Sequence, residues 1–301
     1  MKLKPYTTVP FLAALVYLLT ICAEQLLAGL DTSAKGYLYA LCGIQFAAYA
    51  LPLLLYGLLF GGIRPRRMRL AFPSAASIPL QFLLLAILLV GTSLTSMFLH
   101  RVGIITDTGA GSTAVSSVGF LAIVIAALVP AVCEEILFRG IIMSSFEECG
   151  VSPAIIGSSL LFAFAHMSFE ELPVYFFAGV VLAFSAYVSR SVFTAIFLHA
   201  VYNVASLCFG DYLYAIAAHL ESFSLLFIIM FFTLLILVLI SLSEGERVYG
   251  IYARRALDSS YTPKKMTRIE KIKGNAAVYL SVPFLLATLI YIAVVVFSMQ
   301  K

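Results

Sequence analysis

Apolar runs of about 20 residues recur along this chain, each long enough for an α-helix to cross a ~30 Å hydrocarbon core. Lipid leaves a backbone two ways to satisfy its N–H and C=O groups, namely helices or closed barrels. The runs are continuous and do not alternate, which excludes a barrel. Composition agrees. Hydrophobic residues make up 62% of the 301 and charged residues only 11%, against about 25% charged in soluble domains. The mean hydropathy is +1.04. The expected fold is all-α, a polytopic transmembrane helix bundle.

About nine segments have the length of a span, at 9–30, 37–62, 78–100, 117–143, 152–168, 172–189, 191–209, 222–242 and 276–299. The fifth and sixth, joined by a tight polar turn at 168–173, are expected to be two full spans rather than a re-entrant pair. The basic residues orient the bundle. With a cytosolic N-terminus, 15 Lys and Arg fall in cytosolic loops and termini, among them Arg64, Arg66, Arg67, Arg69, Arg190 and Arg247, whereas 3 (Lys35, Arg101 and Lys301) fall outside. The net charge of +4 therefore reflects topology, and no nucleic-acid partner is expected.

The five cysteines read as small buried hydrophobes rather than a disulfide framework. Lys2 and Lys4 lead into a run too long for a signal peptide and without a small-x-small cleavage site, so an uncleaved first helix is expected. Three regions follow: N-terminal helices over 1–116, a core over 117–210, and C-terminal helices over 211–301. The last region includes the basic stretch 243–274, expected to be a solvated cytosolic loop.

The core carries the chemistry. Glu134, Glu135 and Arg139 lie inside the fourth apolar segment, where each charge costs at least ~2.5–3.5 kcal/mol on insertion scales. Glu135 and Arg139 are spaced i,i+4 and face one another, the least costly way to hold both at low dielectric. Glu134 points elsewhere round the helix, which leaves one carboxylate without a partner in its own helix and available as a general base. Pro130 is expected to kink the helix and open room nearby. Phe162 and His166 share one face of the fifth segment. His199 and Asn203 share one face of the seventh and point at the same neighbour, where two donors one turn apart can hold an oxyanion or simply clamp two helices.

The order Glu134-Glu135-x-x-x-Arg139, then Phe162-x-x-x-His166, then His199-x-x-x-Asn203, resembles the CAAX protease and bacteriocin-processing (Abi) family, which includes the type II CAAX prenyl endopeptidase. Pro130, Phe138-Arg139-Gly140 and the small-residue helix around Gly179 match as well. Ser189-Arg190-Ser191 departs from the family, which often has a glycine before the seventh helix. The resemblance covers about 118–209. It implies an intramembrane endopeptidase in which Glu134 activates water and His166 positions it. His199 and Asn203 then stabilise the oxyanion, while Glu135 and Arg139 hold the helix and tune Glu134. It also implies a peptide or protein substrate, either a prenylated tail or a peptide precursor, and an integral, multi-pass location, the cell membrane in a prokaryote.

A metal-free, glutamate-driven mechanism is favoured. Zinc held by Glu134, His166 and His199 is the alternative, although no His-Glu-x-x-His helix is present. Two other classes use similar residues. A proton-coupled transporter would be expected to show repeat symmetry, which is absent from the sequence. A catalytically silent scaffold or immunity protein has no need to keep buried charges.

Overall fold

The computed structural model describes residues 4–28, 34–59, 68–105, 120–219, 223–254 and 266–300. All of its regular elements are helices. After a helical turn at Pro5–Thr8 come α1 (Pro10–Ala28), α2 (Ala34–Leu59), α3 (Ile78–Arg101) and α4 (Phe120–Glu135). The chain of α4 continues as a π-helix over Ile136–Met143. Then follow α5 (Ser158–Phe164), α6 (Leu172–Ser189), α7 (Val192–His219), α8 (Phe223–Arg254), α9 (Arg268–Tyr279) and α10 (Val282–Ser298).

Helix α4 lies between α7 and α2, and α5 packs on α6. Helix α3 contacts α8, α6 and α7, and α1 sits between α2 and α10. The deepest residues belong to the π-helical stretch, where Leu137, Phe138, Ile141, Ile142 and Met143 have no exposed surface. Helix α8 runs along the periphery and exposes Ile228, Phe232, Ile236 and Leu239. A helix apolar on its bare face has lipid as its natural solvent.

Among the described residues, five helices are long and apolar enough to cross a membrane, or six if the bent pair Arg268–Tyr279 and Val282–Ser298 is one span. Several boundaries differ from expectation. The helix expected over 152–168 runs only over Pro153–Phe164, with a π-helical first turn over Pro153–Gly157. At ~1.5 Å per residue its length is roughly 18 Å, short of a full crossing. It stops because the chain turns at His166–Ser168, with Met167 in the left-handed region at φ 52°. The span expected over 276–299 is two helices meeting at 52°. Ser281 caps the second through Phe284 N, with proline in its first turn.

The stretch 243–274 is not a plain loop. Helix α8 carries on to Arg254, held by Arg247 donating to the Ala76 carbonyl at 2.8 Å and by the Tyr252 hydroxyl accepting from Ser74 N at 2.9 Å. Its far end enters α9 through a Thr267–Glu270 capping box, and 255–265 fall outside the described residues. Arg69 pairs with Glu147 and donates to the Ala186 carbonyl. Arg69 and Arg190 both lie over the Tyr187 ring. Segments that the charge distribution places on one side therefore meet at one end of the bundle.

Candidate active site

The α-helical part of α4 continues through Pro130 to Glu135. The winding changes after the carboxylates, at Ile136. A π-helical stretch inside a helix is rare and recurs at functional sites. Here it carries Arg139.

Glu135 and Arg139 form the expected i,i+4 pair, with Nη1 donating to Oε1 at 2.9 Å and both side chains fully buried. The same Oε1 binds His199 Nδ1 at 2.8 Å. The other guanidinium arm donates to the Gly179 carbonyl at 3.0 Å, and its plane lies 4.3 Å over the Phe162 ring. Gly179 lets α6 approach α5 closely there and present its carbonyl to Arg139, since a Cβ would come within 3.1 Å of Ser159 Cβ. Phe162 is the hub, since His166 and His199 both meet its ring edge-on, at 4.9 and 5.7 Å between centroids.

Glu134 takes no part in that network. Its Oε1 accepts from Gln45 Nε2 of α2 at 3.1 Å. Its Oε2 is buried and makes no hydrogen bond among the described residues. Glu134 and His166 line one cavity of about 210 Å³ together with Thr20, Ala23, Gln45 and Tyr49. That volume accommodates several waters at ~30 Å³ each. His166 Nδ1 lies 3.0 Å from the Phe162 carbonyl, so it carries the proton and Nε2 is left as the acceptor. The ring stacks on Tyr175 at 3.8 Å, and the Tyr175 hydroxyl donates to Glu171.

His199 and Asn203 both reach α4, as their spacing requires, but at different heights. His199 binds Glu135, whereas Asn203 Nδ2 donates to the Ala127 carbonyl at 3.3 Å. The structure thus brings Glu134 and His166 to one cavity and Glu135, Arg139 and His199 into one ion cluster. Asn203 stands one turn along. No group of three or more His, Cys, Asp or Glu side chains able to hold a metal occurs among the described residues.

Residues 116–205 match the family of type II CAAX prenyl endopeptidase Rce1-like proteins. This is the group to which the Glu-Glu-x-x-x-Arg, Phe-x-x-x-His and His-x-x-x-Asn order points. The Rce1-like stretch takes in all seven of these residues and less than a third of the chain. No curated protein and no solved structure matches the chain. The Rce1-like stretch does not build the cavity alone, because Thr20, Ala23, Gln45 and Tyr49 come from α1 and α2. The sequence signal that distinguishes Gln45 is an amide in a largely apolar helix. Tyr175 carried no signal of its own.

Proposed function

We propose that the chain is an intramembrane endopeptidase of the CAAX-protease type that hydrolyses a peptide bond with water activated by Glu134. The observation that carries this reading is the division of labour between adjacent carboxylates. Glu135 is bonded by Arg139 and His199. Each carboxylate keeps one buried oxygen without a hydrogen-bond partner among the described residues, but of the two it is Glu134 that lines a water-sized cavity with His166.

In this mechanism Glu134 takes a proton from water while the oxygen attacks the scissile carbonyl carbon. The Nε2 of His166 accepts the second water hydrogen and fixes the direction of attack. Negative charge develops on the carbonyl oxygen. His199, with Nδ1 committed to Glu135, can donate from Nε2 only as the imidazolium, and Glu135 is the counter-charge of that form. Asn203 keeps a second amide hydrogen after bonding Ala127, and it is the other oxyanion donor. Glu134 then returns its proton to the leaving nitrogen as the C–N bond breaks, giving a carboxylic acid and an amine. No step needs a metal. Arg139 acts through Glu135, holding it at the correct angle to His199.

The same proposal includes a multi-pass bundle with a cytosolic N-terminus, supported by the 15-to-3 division of basic residues, and a core spanning 117–210 flanked by the two outer regions. The resemblance to type II CAAX prenyl endopeptidases supports a prenylated CAAX-type tail as substrate. The test is Glu134→Gln in purified protein, assayed on a farnesylated CAAX-type peptide. The amide keeps the shape and removes the base, so turnover should fall by a factor of about 10²–10⁴. Wild-type rates in that variant would disprove the role of Glu134.

A further inference from the structure

Glu134 is held by a residue from outside the matched stretch. Gln45 sits midway along α2, between cavity-lining Ile44 and Ala48, and Tyr49 follows one turn on. Its Nε2 reaches across to Glu134 Oε1 at 3.1 Å, and it is the only side chain recorded as bonding that carboxylate among the described residues. A glutamine inside an apolar helix needs a partner to be tolerated there, and this glutamine has found the candidate base.

The two neighbouring carboxylates are held by different chemistry. Glu135 is bonded by a guanidinium and an imidazole, a charge-assisted arrangement. Glu134 is bonded by a neutral amide, which fixes a rotamer without supplying a countercharge. A residue that must accept a proton and then release it is suited to the second kind of hold, because a cation at 3 Å would oppose protonation throughout the cycle. The bond also breaks the symmetry of the carboxylate. Oε1 is occupied and Oε2 has no partner.

We propose that Gln45 is a positioning residue for Glu134, binding Oε1 so that Oε2 is the oxygen that exchanges a proton with the attacking water. This rests on the peptidase reading above. It gives α2 a part in the reaction.

The test uses the full-length protein in detergent with Gln45→Met, which keeps the length of the side chain and removes the donor. On a farnesylated CAAX-type peptide, kcat should fall about tenfold with KM within about twofold, the pattern of an interaction that matters in the transition state. The melting temperature should stay at the wild-type value. Gln81→Met serves as the contrast. It breaks a buried bond to Ser185 between α3 and α6, so it should lower the melting temperature and leave kcat in place. Gln45→Asn keeps an amide but falls one methylene short, so it should also lose turnover, and it decides the matter if the methionine variant does not fold. A second measurement needs no substrate. Labelling of Glu134 by a hydrophobic carbodiimide, located by peptide mass mapping, should rise several-fold in Gln45→Met, with the exposed Glu171 as internal reference. Unchanged kcat in a cleaving enzyme, or unchanged labelling at Glu134, overturns the role of Gln45. If wild-type protein does not cleave the peptide while labelling still rises, the peptidase reading fails and the control of Glu134 by Gln45 stands.

Discussion

Replacing Arg139 by alanine removes the most deeply buried cation among the described residues, and each of its contacts carries its own cost. The guanidinium has no exposed surface. One arm pairs with Glu135, the other satisfies the Gly179 carbonyl, and the plane covers the Phe162 ring. Breaking a buried ion pair from one side costs about 3–5 kcal/mol, because the surviving charge stays buried. His199 still faces Glu135 and holds the loss toward the lower end. The orphaned carbonyl adds about 1–3 kcal/mol and the lost ring contact about 0.5–2 kcal/mol. These terms overlap at one site and do not sum, so a net loss of about 4 kcal/mol is expected. At roughly 2–4 °C per kcal/mol, melting should fall by on the order of 10 °C. The protein supplies its own reporter, since Cys42, Cys133 and Cys149 are free and buried and become available to a thiol-reactive fluorophore only on unfolding. Arg139→Lys keeps the charge but cannot fork to two acceptors, so it should fall between alanine and wild type. If Arg139→Ala melts like wild type, the ion cluster contributes no stability and the argument is refuted. Lost turnover with unchanged melting would make Arg139 a substrate contact.

Gly179→Ala should loosen α5 against α6 and pull the carbonyl from Arg139, lowering stability by about 1–3 kcal/mol by overpacking. An unchanged melting curve would contradict the close approach. Purified protein should contain substoichiometric zinc by elemental analysis and keep its turnover after exhaustive chelation. Activity lost on chelation and restored by one equivalent of zinc would refute the metal-free mechanism. In a background without the native cysteines, Lys273→Cys should be labelled from the cytosolic side and Gly103→Cys from the outside, both positions being exposed; the reverse pattern would invert the topology.

What the sequence reveals here follows the range of the forces involved. Helices α1, α2, α3, α6 and α8 announce themselves, because an unbroken apolar run has few other uses. The Glu135–Arg139 pair is equally plain, since an i,i+4 contact is decided within one helix turn. The joining of His199 to Glu135 is not local. It depends on how α7 settles against α4, and spacing alone gives the faces without their relative height. For that reason His199 and Asn203 were correctly aimed at one helix, while their separate partners, Glu135 and the Ala127 carbonyl, had to be observed. Gln45 was hidden for the same reason, its partner lying 89 positions away. The short helix Pro153–Phe164 misled because its apolar residues are buried against protein as thoroughly as others are against lipid.

The π-helical winding over Ile136–Met143 places a constraint on how this gene can change length. A π turn closes its hydrogen bonds one residue later than an α turn, so the segment stores slack. Deleting one codon between 136 and 143 would not shorten a loop. It would let the stretch rewind as an α-helix and rotate everything beyond it. Phe146 would leave its seat against Gly157 and Phe284, and Glu147 would leave Arg69 at the end of the bundle. A gap in this stretch of an alignment should therefore be read as a change of helical phase, with its effects appearing several residues downstream of the missing one.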